Sequence, residues 1–313
     1  MIVERKISTL RLLKVIWKRL LAMTILASII VLGTVYFGWT KKTLSLNAPL
    51  ILGTAISIFL GFRTNSAYER WFKARSLWGD MRASARNMTL VLARTLEPNT
   101  NRTTGKVSKK AQKVMRAMIR RNIAWIWMLG RQLKDLSPFE GVRHLIDDED
   151  YELIKDAHNP ALKLLFLQAR DFRIAQAEGQ FYDGEHFEIV GMLREMIRGQ
   201  TACEGLKNTP FPTHYTYFTN VFIWLFLILL AFALPGIQNM SYLAIPAVVI
   251  VGWVFFMVEG IGSYMEEPFV NNRNVVPMDA LARALERDLL AFGLGEDEDN
   301  LPPPIKPVEG ALY

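Results

Sequence analysis

The sequence predicts an all-α integral membrane protein with four transmembrane helices and a large helical region in water. Three observations carry this. Hydrophobic residues make up 51% of the chain and charged residues 21%, and the two kinds are segregated along it. Apolar stretches long enough to cross a bilayer fall in two pairs, Leu20–Gly38 with Leu44–Phe62, and Tyr215–Leu234 with Tyr242–Val258. Between the pairs no stretch is apolar enough to cross. Apolar residues there recur at helical spacing, with few alternating β-branched runs.

Charge and cysteine content exclude several classes. The net charge is +7. Its Lys and Arg cluster beside the apolar spans, so membrane topology explains them better than a nucleic-acid partner does. Cys203 is the single cysteine, which rules out an intrachain disulfide and a cysteine metal cluster. The first apolar run is too long for a signal-peptide core and lacks a cleavage site, so it reads as a retained anchor.

Taken in order, Met1–Arg19 sets Arg5, Lys6, Arg11, Lys14, Lys18 and Arg19 against Glu4 alone, with Leu10, Leu13, Ile16 and Trp17 at helical spacing. That is a basic amphipathic helix suited to the lipids of the cytoplasmic face. Leu20–Gly38 spans, with Tyr36 and Trp39 as far-side anchors. Lys41 and Lys42 then lie outside, against the positive-inside tendency, but the N-terminal excess is larger. Leu44–Phe62 returns, and Arg63, Arg70, Lys73 and Arg75 mark its exit. An even number of spans leaves both termini in the cytoplasm.

Lys106–Leu136 carries Val114, Met115, Met118, Ile119, Ile123, Trp127 and Met128 on one stripe, broken by Pro138 and Gly141. Ala161–Ala177 and Glu185–Ile197 are two further amphipathic helices, with Asn159-Pro160 and Asp183-Gly184 as turns. Pro235-Gly236 ends the third span, and Ile237–Met240 links it to the fourth. Met278–Phe292 is a charged amphipathic helix stopped by Gly293, followed by an acidic and then Pro-rich extended tail. The expected divisions are 1–79 (amphipathic helix and spans one and two), 80–212 (cytoplasmic helices), 213–265 (spans three and four) and 266–313 (C-terminal helix and tail).

The stretch Pro49–Trp78 starts apolar and turns polar at Phe62-Arg63. Gly53, Ser57 and Gly61 recur every fourth position, which suits close approach by another helix. One residue further round lie Thr54, Ile58 and Phe62. From spacing alone this second stripe is either an ordinary buried face or the constriction of a pore.

Leu60-Gly61-Phe62-Arg63-Thr64-Asn65-Ser66-Ala67-Tyr68-Glu69-Arg70-Trp71, followed by Leu77-Trp78-Gly79, resembles the signature of the bestrophin family in its bacterial branch. Gly61, Arg63, Asn65, Tyr68, Arg70 and Trp71 are its matching positions, and Glu266–Phe269 supplies a further Glu-Glu-Pro-Phe element. The resemblance covers most of the chain. It implies a homopentameric channel in a bacterial inner membrane that passes small monovalent ions through one central pore. Animal members pass anions and open with calcium, while at least some bacterial members favour cations. The family's apolar neck falls on Thr54, Ile58 and Phe62, with Thr54 departing from the apolar type. Its cytoplasmic aperture, at an aliphatic-Pro pair, is matched to Phe211 within Pro210-Phe211-Pro212. The acidic calcium clasp of animal members is replaced by Val270-Asn271-Asn272-Arg273-Asn274, so calcium gating is not expected.

Other candidates point to no chemistry. Glu259, at the end of the fourth span, reads as a partner for Arg63 or Arg70. His144, His158, His186 and His214 lack metal-ligand spacing. No nucleophile motif or phosphate loop occurs, so neither enzyme activity, a cofactor nor a metal is expected. The competing class is a membrane-embedded transporter or receptor without channel activity. A transporter would often show repeated halves, and no repeat is evident.

Overall fold

The computed structural model describes residues 9–37, 44–96, 109–178, 183–237, 240, 242–270 and 276–307. All its regular elements are helical: α1 (Thr9–Tyr36), α2 (Asn47–Leu96), α3 (Lys109–Leu133), α4 (Asp148–Ile154), α5 (Pro160–Ala177), α6 (Asp183–Asn208), α7 (Thr213–Ala233), α8 (Ala244–Glu266) and α9 (Met278–Asp288), with short 3-10 and π turns between or after them. The expectations on Met1–Ser8, Trp39, Lys41, Lys42 and Asn271–Val275, including the missing calcium clasp, lie outside the described residues.

The chain forms two compact units. One contains the described residues of Glu4–Trp71 and Pro210–Glu267, the other those of Phe72–Thr209 and Pro268–Tyr313. Among the described residues four helices are long and apolar enough to cross a membrane, over Trp17–Tyr36, Asn47–Ala93, His214–Gly236 and Ala244–Glu266. Only 33%, 22%, 39% and 28% of the residues in their most apolar windows are buried, so most residues of these spans keep surface that the chain itself does not cover. That is how a span facing lipid or another subunit behaves.

In the first unit α8 packs against α1 and α7, and α1 against α7. Met23, Ala27, Ile56, Leu60, Ile223, Phe226, Leu227, Val248 and Phe256 form the shared core. Lipid tails are as apolar as these side chains, so close packing rather than water exclusion holds such helices together. Gly53 is one point of close approach: a Cβ there would lie 2.8 Å from Cε2 of Phe226.

In the second unit α3 is central and packs on α5, α6 and α9. Met115, Met118, Ile119, Ile123 and Met128 of the expected stripe are fully buried, while Val114 and Trp127 are half-buried. Trp78, Met81, Ala85, Met88 and Leu92 of α2 supply a second buried row at helical spacing. Arg121 enters this core and is met by Asp150 at 2.6 and 2.7 Å and by Asp171 at 2.7 Å. Burial alone would lower the Arg121 pKa, but the two carboxylates together raise it. Burial likewise pushes the Cys203 thiol up to about 12, with Glu204 adding to the shift, so it is an unreactive packing residue.

Several boundaries differ from the sequence reading. α2 runs through the expected division at residue 79 to Leu96. Asp183-Gly184 opens α6 instead of forming a separate turn. α9 passes into a π turn, Leu289–Leu294, and the chain ends it at Gly295, whose φ of 72° is left-handed. Gly293 is there for space: a Cβ would sit 2.5 Å from Cγ2 of Thr89. α8 continues past Val258 to Glu266.

Candidate functional site

On the membrane part of α2, Gly53, Ile56, Leu60, Arg63 and Ala67 are buried. Their 3-4-3-4 spacing keeps one face of the helix against the rest of the unit. The opposite face carries Thr54, Ile58 and Phe62, all exposed, with Ile58 at 56% and Phe62 at 71%. Within the chain the stripe is therefore not a buried face. The Thr54 hydroxyl donates to the Leu50 carbonyl at 2.9 Å, so its polar hydrogen is directed into its own helix. Ser57 does the same with Gly53 at 2.8 Å. Nothing lies within 4 Å of a Cβ placed on Gly61, so of the small-residue row only Gly53 meets a neighbouring helix of the same chain closely.

Just beyond Phe62 the helix buries a cation. Arg63 is 2% exposed. Its Nε donates to Glu266 Oε1 at 2.8 Å, and its Nη2 lies 2.6 Å from the same oxygen. Nη2 also donates to Thr216 at 3.0 Å and Ser263 at 2.9 Å, and Nη1 to Glu259 at 3.5 Å. Glu259 in turn accepts from Arg19 at 2.9 Å and Ser263 at 3.0 Å. Arg70 donates to the Glu266 carbonyl at 2.7 Å. The expected pairing of Glu259 with Arg63 is present, but Arg70 serves Glu266, and the closer partner is Arg19, which the sequence reading did not consider. The cluster joins α1, α2, α7 and α8, and it fixes α2 next to Phe62. A buried charge is tolerated only when paired and hydrogen-bonded, and each side-chain nitrogen of Arg63 has an acceptor here.

The remaining signature residues are nearby. Asn65 donates to Glu69 one turn on at 2.8 Å, and Tyr68 stacks near Trp71 with centroids 6.2 Å apart. Phe211 is half-buried. Its ring meets Tyr215 edge-on at 5.9 Å, and Tyr215 stacks flat on Phe59 at 5.2 Å. His214 is exposed. Among the described residues no group of three or more His, Cys, Asp or Glu could hold a metal ion.

This geometry can be set beside known proteins. Voltage-dependent anion channel-forming protein YneE of Salmonella typhi is 27% identical over 287 residues, 92% of this chain and 88% of that protein. YneE of Escherichia coli K12 is 28% identical over 257 residues, 82% and 79% of the two chains. The crystal structure of a bacterial bestrophin homolog from Klebsiella pneumoniae superposes with a TM-score of 0.80 at 27% identity, covering 90% of this chain and 99% of that one. A family model described as bacterial/fungal bestrophin protein matches residues 6–291. The resemblance read from the Gly61–Trp71 signature thus extends over nearly the whole chain, which belongs to the bacterial/fungal bestrophin family.

Proposed function

We propose that the chain is one protomer of a homopentameric ion channel in a bacterial inner membrane, with both termini in the cytoplasm and no enzymatic activity. Small monovalent ions cross through a central pore whose neck is lined by Thr54, Ile58 and Phe62. The observation that carries this is the outward stripe: Ile58 and Phe62 are large, apolar and exposed, on a helix whose opposite face is buried. Symmetry would repeat each as a ring. A narrow apolar ring offers an ion no replacement for its hydration water and can close by dewetting. The Thr54 hydroxyl is bonded to Leu50, which reduces the polarity of the third ring.

The relatives' names favour anions. An apolar neck does not choose by sign, so selectivity must reside in charged groups elsewhere along the path. Residues 1–79 and 213–265 would form the membrane part, and 80–212 with 266–313 the cytoplasmic part. Phe211 narrows the cytoplasmic end of the path, as the Pro210–Pro212 match implies, and its ring is braced edge-on by Tyr215. Calcium dependence is not expected, because Glu266, the one acid of the Glu-Glu-Pro-Phe pair turned inward, is committed to Arg63.

Purified protein in a planar bilayer tests the proposal. Unitary current steps are expected, with reversal potentials in a salt gradient assigning ion sign. Slow saturable flux would assign a transporter instead, and no flux a receptor.

A further inference from the structure

The outer face of α3 carries a row of cations that the channel reading does not use. Lys109, Lys113, Arg116 and Arg120 follow one another at spacings of four, three and four, and all are exposed. With Gln112, Ala117 and Asp147 they line a groove of about 360 Å³. Among the described residues none of the four has a carboxylate partner. The next residue, Arg121, turns inward and takes both Asp150 and Asp171. Two other lysines of the unit are paired as well, Lys134 with Asp279 and Lys207 with Asp135.

This layout opposes helix stability in two ways. Like charges three and four residues apart repel. The row also begins at the positive end of the helix dipole, and the first turn of α3 holds no acidic residue to offset it. A bound anion would relieve both penalties. The shape of the row narrows its chemistry. Lys109 to Arg120 covers about 16 Å at the α-helical rise of 1.5 Å per residue, too long for one phosphate. Among the described residues no aromatic side chain lines the groove to stack on a base or sugar ring. Arg and Lys are the usual partners of phosphate oxygens.

We propose that this groove binds several phosphate groups in a row, on one anion or on adjacent headgroups. Two sources share that chemistry: a soluble linear polyphosphate and the headgroups of anionic phospholipid. Two arms distinguish them, both with the full chain. In the first, labelled tripolyphosphate is titrated into detergent-solubilised protein. In the second, the thermal midpoint is compared in nanodiscs with and without phosphatidylglycerol. Replacing Lys113→Gln together with Arg116→Gln is expected to weaken tripolyphosphate binding at least ten-fold, or to abolish the phosphatidylglycerol shift. The arm that responds names the source. Lys109→Gln with Arg120→Gln, at the ends of the row, should give a smaller loss. Arg173→Gln, an exposed cation on α5, is the control and should change nothing. The proposal is overturned if neither arm responds to Lys113→Gln with Arg116→Gln, if Arg173→Gln costs as much, or if orthophosphate binds as tightly as tripolyphosphate.

Discussion

Arg63 and Glu266 lie 203 positions apart in sequence and share a buried charged contact, with Nε of the arginine 2.8 Å from Oε1 of the glutamate. The arginine belongs to the family signature and the glutamate to the Glu-Glu-Pro-Phe element. The contact explains why both sequence features occur together: each neutralises the other where both are largely shielded from water. Arg63→Gln should therefore lower stability by about 3 to 5 kcal/mol, the usual cost of leaving a buried carboxylate unpaired. Adding Glu266→Gln should restore part of the loss. Thermal melts of the detergent-solubilised protein measure both. A double variant no more stable than the single one would mean that the pair is not coupled.

The small residues of α2 separate in the same kind of measurement. Gly53→Ala drives a methyl to within 2.8 Å of Phe226, an overpacking that costs about 1 to 3 kcal/mol. Gly61→Ala meets nothing within the chain and should stabilise the isolated helix by about 1 kcal/mol. A loss of oligomer in Gly61→Ala, with the protomer still folded, would place Gly61 against another subunit. Equal melting losses in both variants would contradict the packing described.

What the sequence disclosed, and what it did not, follows from these same residues. The spans and the signature were legible because apolar run length and a long motif are local properties. The fate of the Gly53, Ser57 and Gly61 row was not. A four-residue step advances 40° too far on a helix of 3.6 residues per turn, so the row rotates from the buried face to the open one. Arg19 was missed as a partner of Glu259 because nothing local links positions 240 apart. α4, with seven residues, is too short for a periodic signal. Gly293 read as a helix stop because glycine near a helix end usually is one; the close approach of Thr89 is visible only in three dimensions.

Acid should weaken the second unit through Asp171. Burial by itself would raise this carboxyl, but hydrogen bonds from Arg170 and Arg121 hold it below its ordinary value of 3.8. Folding thus favours the ionised form. The stability it contributes is complete above the unfolded pKa and is lost as pH falls through the folded one. Asp171→Asn should lower the melting temperature at pH 6 and flatten its further fall below pH 4. Parallel acid profiles for the two proteins would remove Asp171 from the titration.

Phe211→Ala distinguishes packing from an ion-path role. Its edge-on contact with Tyr215 is consistent with packing, worth about 1 kcal/mol beyond buried area. If packing is its whole role, the melting temperature should fall while permeability ratios among ions of different size stay at wild-type values. Altered ratios in a channel of normal stability would place Phe211 at the aperture.

The neck gives the sharpest test. Ile58 and Phe62 are 56% and 71% exposed, so truncating either leaves no cavity within the protomer. Loss of folding, the usual objection to large-to-small substitutions, is therefore not expected. If their rings narrow the path, Ile58→Ala and Phe62→Ala widen and wet it, raising conductance or open probability. Neither changes charge, so the reversal potential in a salt gradient should remain where it was. Thr54→Ala removes a hydroxyl already bonded to the Leu50 carbonyl and should do less. If the two side chains instead only pack between subunits, truncation lowers the fraction of assembled oligomer and leaves each surviving channel unchanged. Single-channel recording on size-selected oligomers separates these outcomes. Wild-type conductance and gating in assembled Ile58→Ala and Phe62→Ala would place the constriction elsewhere.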